Sequence, residues 1–387
     1  MTSSLALDSI EISNFRALRH LKLEKLSRVN LIVGKNNVGK TTVLEAIWVY
    51  AQGGTPYTLI EVLANRNEAV AEHVPVSSLN DAQQFSALRN LFFQRSADEP
   101  TPDPVYFSAA QPIQIEGSST NGTHITHQLE LFAGRFGPSS TIQNIDDSVP
   151  LDIKYGSGEK FGLIVKQDKD SRLFEFNDGS FGRAIKKSAF NTIHKYHEAK
   201  LMPVEGFDPI ELDGTWDYMV LRDTDNDIVK CLQLIQPSIE RIHLVKVAGR
   251  NGREPYAKIA GIDEPVTLKS LGEGMNRLFG ISVILVQAKG GIALIDEIDT
   301  GIHYSVLSDL WGFVFKVAKR LNVQLFATTH SWDCIEGFSE ALQSDESFDG
   351  QLISLRRSRE VDDDTIYPVS YDRQEIAIAT KSDIEVR

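Results

Sequence analysis

Several short clusters in this sequence have the residue types and spacing to do chemistry on a phosphorylated ligand. The first is Gly34-Lys35-Asn36-Asn37-Val38-Gly39-Lys40-Thr41-Thr42. Its glycines let consecutive backbone N–H groups wrap an anion, and a helix starting here adds the positive end of its dipole. Lys40 supplies a point charge for the β- and γ-phosphates of a nucleoside triphosphate such as ATP, and the Thr41 hydroxyl is placed for Mg²⁺. The second cluster is Asp296-Glu297, which directly follows the apolar run Ile292-Ala293-Leu294-Ile295. Open α/β sheets take their ligands at the carboxyl ends of strands. Asp296 is therefore expected to join Thr41 around the metal, while Glu297, on the opposite side of the strand, polarises an attacking water.

The third cluster, Phe326-Ala327-Thr328-Thr329-His330-Ser331, delivers His330 at the end of another strand. If that strand neighbours the Asp296 strand, the imidazole reaches the γ-phosphate or the attacking water. The fourth, Ser270-Leu271-Gly272-Glu273-Gly274, precedes a helix, where a hydroxyl, exposed amides and the helix dipole point at one negative group.

These clusters need strands and helices to position them. Ile10, Ile12, Leu21 and Leu23 alternate with polar residues, and Val29 to Val33 is an apolar run ending in glycine, so three strands are expected. Apolar positions at Val43, Leu44, Ile47 and Trp48 predict a helix after the glycine loop. Leu79 to Gln94 reads as a helix, and the stretches 105–115, 127–132, 151–155, 161–165 and 173–176 alternate like an antiparallel meander. Residues 183–200 and 217–234 read as helices around a turn-rich stretch from Pro203 to Gly214. Strand 242–247, helix 274–287, strand 291–295, helix 305–318 and strand 323–327 then imply a mainly parallel, covered sheet. The expected organisation is an α/β head in two pieces, 1–52 and 241–387, interrupted by an inserted α+β subdomain over 53–240.

Composition is that of a folded globular chain: 42% hydrophobic and 24% charged, with 27 Gly and 14 Pro over 387 residues. The net charge of −13 disfavours nonspecific coating of DNA, so contact with nucleic acid needs a local basic patch and is not indicated by charge. Arg183, Lys186, Lys187, Lys195 and Lys200 form such a cluster, near His194 and His197, whose spacing would share one helix face. Cys231 and Cys334 have no metal-site or disulfide spacing and read as buried thiols in a reducing cytosol. No apolar run approaches a bilayer span, and a cytoplasmic location without membrane contact is expected.

In this order the clusters resemble the ATPase heads of the ABC type, and more narrowly the branch holding the RecF, SMC, Rad50 and OLD-like ATPases, often filed under AAA. Ile10-Glu11-Ile12-Ser13-Asn14-Phe15-Arg16 is similar to the opening of that branch, and Asp296-Glu297-Ile298-Asp299-Thr300-Gly301-Ile302-His303 to its Walker B and D-loop. The resemblance implies that Ser270, Gly272 and Gly274 form the signature motif that meets the nucleotide of an opposite subunit. It also makes His330 the switch histidine and adds Arg16 to the nucleotide contacts; Gln94 is a weak match for the Q-loop. It further implies a homodimer or larger even-numbered assembly. The chain after His330 is too short for the TOPRIM nuclease domain of full-length OLD proteins. The expected role is thus an ATP-gated sensor of a two-component antiphage system acting on a separate effector, a TOPRIM- or HNH-type nuclease or a toxin. The alternatives are a DNA-repair ATPase of the RecF kind and a non-hydrolysing scaffold locked by nucleotide.

Overall fold

The computed structural model describes residues 5–66, 68, 88–93, 112–120, 124–136, 160–168, 170–176, 194–204, 206, 209–247, 252–358, 365–382 and 386. The chain opens with a hairpin of β1 (Ser9–Phe15) and β2 (Leu18–Leu23), whose alternating Ile10, Ile12, Leu21 and Leu23 are buried. Strand β3 (Val29–Val33) is buried on both faces and runs into the glycine loop, which opens α1 (Lys40–Ala51). Helix α2 (Pro56–Ala64) follows, capped by the Thr55 side chain with proline at its start.

Strands β4 (Ile113–Thr120), β5 (His124–Phe136), β6 (Lys160–Gln167) and β7 (Asp170–Phe176) form the expected meander. β4 also pairs antiparallel with β1, giving one six-stranded sheet in the order β2-β1-β4-β5-β6-β7. The proposed helix over 79–94 lies largely outside the described residues, where only a short 3₁₀ turn at Arg89–Leu91 is seen. The stretch 151–155 and the candidate glutamine at 94 also lie outside them.

The second half departs from the expected elements in four places. Residues 194–202 are not helical: after an irregular segment comes β8 (Ala199–Met202), because register with a neighbouring strand outweighs the weak helical propensity of Ala-Lys-Leu-Met. His194 and His197 therefore share no helix face; His197 is half-buried, and burial pulls its pKa down to about 4. The expected helix 217–234 is two, α3 (Pro209–Val220) and α4 (Asp225–Leu232), broken where Asp223 turns to a φ of 56°. β9 (Ile239–Lys246) pairs with β10 (Arg253–Ile259), which the sequence reading missed, and β10 with the short β11 (Val266–Thr267).

Helix α5 (Glu273–Gln287), β12 (Ile292–Ile295), α6 (Leu307–Leu321) and β13 (Gln324–Thr328) fall where the pattern placed them. Beyond them lie α7 (Trp332–Ser344), β14 (Gly350–Arg357), β15 (Ile366–Tyr371) and α8 (Arg373–Lys381), which complete the fold without having been anticipated. The central sheet runs β15-β14-β3-β13-β12-β8, parallel except for β15. Its strands bury both faces: Val29, Leu31, Val33, Leu325 and Ala327 pack with α5, α6 and α7, while Ile32, Phe326, Ile292 and Leu294 pack with α1 and β1. This two-sided burial is why the strands read as continuous apolar runs. Both cysteines are buried and unbridged.

Candidate functional site

The carboxyl ends of β3, β13 and β12 lie side by side and carry, in that order, the glycine loop, His330 and the Asp296-Glu297 pair. The loop turns through positive φ at Asn37 and at Gly39, the residue before α1. Gly34 is needed for close approach, since a Cβ there would meet Val38 Cγ1 at 2.7 Å and the Leu355 carbonyl at 2.8 Å. Helix α1 begins with no side-chain cap and no acidic residue in its first turn, so its bare N–H groups point toward whatever the loop encloses. Lys40 Nζ donates to the carbonyls of Gly34 (2.8 Å) and Lys35 (3.3 Å). Burial lowers its pKa from the ordinary lysine range, against the fields of Glu297 and Asp296.

Thr41 and Asp296, 255 positions apart, meet: Thr41 Oγ1 donates to Asp296 Oδ2 at 2.8 Å. Two oxygen ligands of an octahedral Mg²⁺ bound at 2.0–2.1 Å sit about 2.9 Å apart, so this pair fits the ion by donor chemistry and by spacing. Asp296 Oδ1 accepts a short hydrogen bond from the buried Thr328 hydroxyl, whose oxygen in turn accepts from the Glu297 N–H at 2.8 Å. Glu297 has a φ of 44°, a left-handed conformation that costs a non-glycine residue about 1 kcal/mol and is held only where neighbours enforce it. Its carboxylate Oε1 lies 3.2 Å from His330 Nδ1, and both side chains are partly exposed.

Ser270, Gly272 and Gly274 lie at the start of α5. Ser270 Oγ donates to the Thr267 carbonyl at 2.7 Å and is exposed, and Gly272, with a φ of 110°, has open space where a Cβ would project. Arg16 is nearly buried: its guanidinium lies against Glu45 of α1 (3.0 Å) and Glu68 (2.8 Å) and donates to the Val62 carbonyl of α2. It thus reaches the phosphate-loop helix about one turn beyond Thr41.

Three contributors were not read from the sequence. Thr328 was inside a motif already singled out, and as the last buried strand residue before His330 it could have been found. Arg277 is nearly buried among Met275, Leu278 and Phe279 of α5, and a cation on an apolar helix face was the available signal. Arg66, which pairs with Glu45 at 2.7 Å and donates to Thr42 Oγ1 at 3.3 Å, left no signal of its own.

An anion cradle, an oxygen pair spaced for magnesium and a carboxylate poised beside it, on adjacent parallel strands, define an α/β P-loop nucleotide-binding fold. The chain belongs to the family described as "AAA domain, putative AbiEii toxin, Type IV TA system", whose model matches residues 29–333. It is 21% identical over 384 residues to an "ATP/GTP phosphatase" of Helicobacter pylori, covering 94% of this chain and 95% of that protein. A segment of 49 residues is 43% identical to the DNA replication and repair protein RecF of Clostridioides difficile, 13% of either chain. Among solved structures, the SMC head domain from Thermotoga maritima is similar with a TM-score of 0.47 and 14% identity, covering 95% of this chain and 99% of that one.

Proposed function

We propose that the chain is a Mg²⁺-dependent ATP hydrolase that turns over as a nucleotide-sandwiching homodimer or a larger even-numbered assembly. The observation that carries this is the Thr41–Asp296 contact, with Glu297 and His330 beside it. Lys40 and the amides of Gly34 to Thr42 would hold the phosphates, and Thr41 and Asp296 would hold Mg²⁺. The metal would neutralise charge on the phosphate oxygens. Glu297 would accept the proton of the attacking water and His330 would contact the γ-phosphate. Ser270 and Gly272 lie exposed just before α5, with Gly274 in its first turn, which supports their acting on the nucleotide of a second copy. Arg16, expected as a nucleotide contact, would act by supporting α1 through its pairs with Glu45 and Glu68.

We infer a role as the ATP-gated component of an antiphage system controlling a separate nuclease or toxin in the cytoplasm; the toxin and toxin–antitoxin terms of the family description bear on the toxin part of this reading. Strands and helices of 53–240 would then carry the partner contacts. Among the described residues no helix is long and apolar enough to cross a membrane. The local likeness to RecF favours a second reading, DNA-linked repair, which predicts ATP-dependent, salt-sensitive DNA binding. The deciding experiment is phosphate release by the wild-type chain and by Glu297→Gln. Turnover lost about 100-fold or more with ATP affinity kept supports hydrolysis. Tight binding without turnover in either protein would leave a nucleotide-locked scaffold.

A further inference from the structure

Helix α5 follows the exposed Gly272 and carries Arg277 one turn in, on its buried side. One guanidinium nitrogen of Arg277 donates to the carbonyls of Asp296 (2.9 Å) and Glu297 (2.8 Å), and the other to the carbonyl of Val204 (3.3 Å), in the loop after β8. A single side chain thus clasps the turn that aims Glu297. The strained φ of Glu297 is anchored on both sides: its N–H is held by Thr328, and its carbonyl accepts from Arg277 and from the Thr300 N–H at 3.0 Å. Among the described residues, Arg277 Nε and Asp299 Oδ1 are buried with no hydrogen-bond partner, and the field of Asp299 acts on the Arg277 guanidinium.

We propose that Arg277 is a positioning residue that ties the helix behind Ser270 and Gly272 to the carboxylate of Glu297, so that movement of this helix start sets turnover at the chain's own nucleotide. This rests on the hydrolase reading above. It supplies a route by which contact of one copy's helix start with its partner's nucleotide adjusts the first copy's own Glu297, without either group touching the other.

The test compares wild type, Arg277→Met and Arg277→Lys by phosphate release, by affinity for a fluorescent ATP analogue with and without Mg²⁺, and by thermal melting. Arg277→Met should lose about 30-fold in turnover with affinity within about 3-fold of wild type, and Arg277→Lys, able to reach one carbonyl, should recover part of that loss. Turnover of Arg277→Met within about 3-fold of wild type overturns the proposal, as does a fall in turnover and affinity together in step with the melting midpoint, the mark of a packing role. If Arg277→Met does not fold, Arg277→Lys decides: turnover about 10-fold down at unchanged affinity supports the proposal, and wild-type turnover overturns it. A wild-type chain that binds ATP without hydrolysing it fails at the level of the hydrolase reading, a result distinguishable because no variant is needed to see it.

Discussion

Replacing Thr328 with valine removes one hydroxyl and almost no volume, yet that hydroxyl serves two partners at the centre of the site. It donates to the Asp296 carboxylate and accepts the Glu297 N–H, and the side chain is fully buried, so water cannot take its place. An unsatisfied buried N–H costs about 1–3 kcal/mol, and a lost hydrogen bond to a carboxylate about 1.5–3 kcal/mol. Because the two losses share one atom and the turn can relax, they should sum to about 2–4 kcal/mol. Relaxation releases Glu297 from its left-handed conformation, so turnover should fall about 10–100-fold while Mg²⁺-free nucleotide affinity, set by Lys40 and the loop amides, stays unchanged. Thr328→Ser keeps the hydroxyl and deletes a methyl, and should cost about 1 kcal/mol with little loss of turnover. Denaturant unfolding and phosphate release on the three proteins give the readout. Equal stability and equal turnover in valine and serine variants would refute the claim that this hydroxyl organises the acidic turn.

Other outcomes follow from the same geometry. Gly34→Ala should abolish ATP binding, because the added Cβ runs into Val38 and the Leu355 carbonyl, and isothermal calorimetry would show it. Lys40 has a lowered pKa, so the folded chain sheds that proton at lower pH than the unfolded one. ATP affinity should then fall as pH rises toward 10.5, while the ligand-free chain gains stability from this group over the same interval; Lys40→Met should erase both trends. His197 is neutral in the fold, with its pKa near 4 against 6.5 unfolded, so stability should drop by about 3 kcal/mol in total as pH falls from above 6.5 to below 4. His197→Leu should flatten that part of the acid limb in denaturation midpoints.

The local chemistry of this protein was legible in the sequence wherever it depends on neighbours along the chain. The glycine loop announces itself because its function needs consecutive amides, a helix start, a lysine and a hydroxyl at set offsets. The acidic pair announces itself because the strand before it, buried on both faces, is apolar to its end and Asp296 is the first polar residue after it, while His330 is the first exposed residue after β13. What the sequence left open is what depends on partners far along the chain. Ala199–Met202 has too few residues to declare a strand and is one only because β12 lies beside it. The hairpin of β1 and β2 gave no sign that β4 would extend it. That Asp296 would join Thr41 was expected from the motifs, but that Thr328 would bridge Asp296 and Glu297, and that Arg277 would reach from another helix to hold their turn, were decided by the sheet order β3-β13-β12 and by the packing of α5 against it. Periodicity reports which face of an element is buried; only the tertiary structure reports against what.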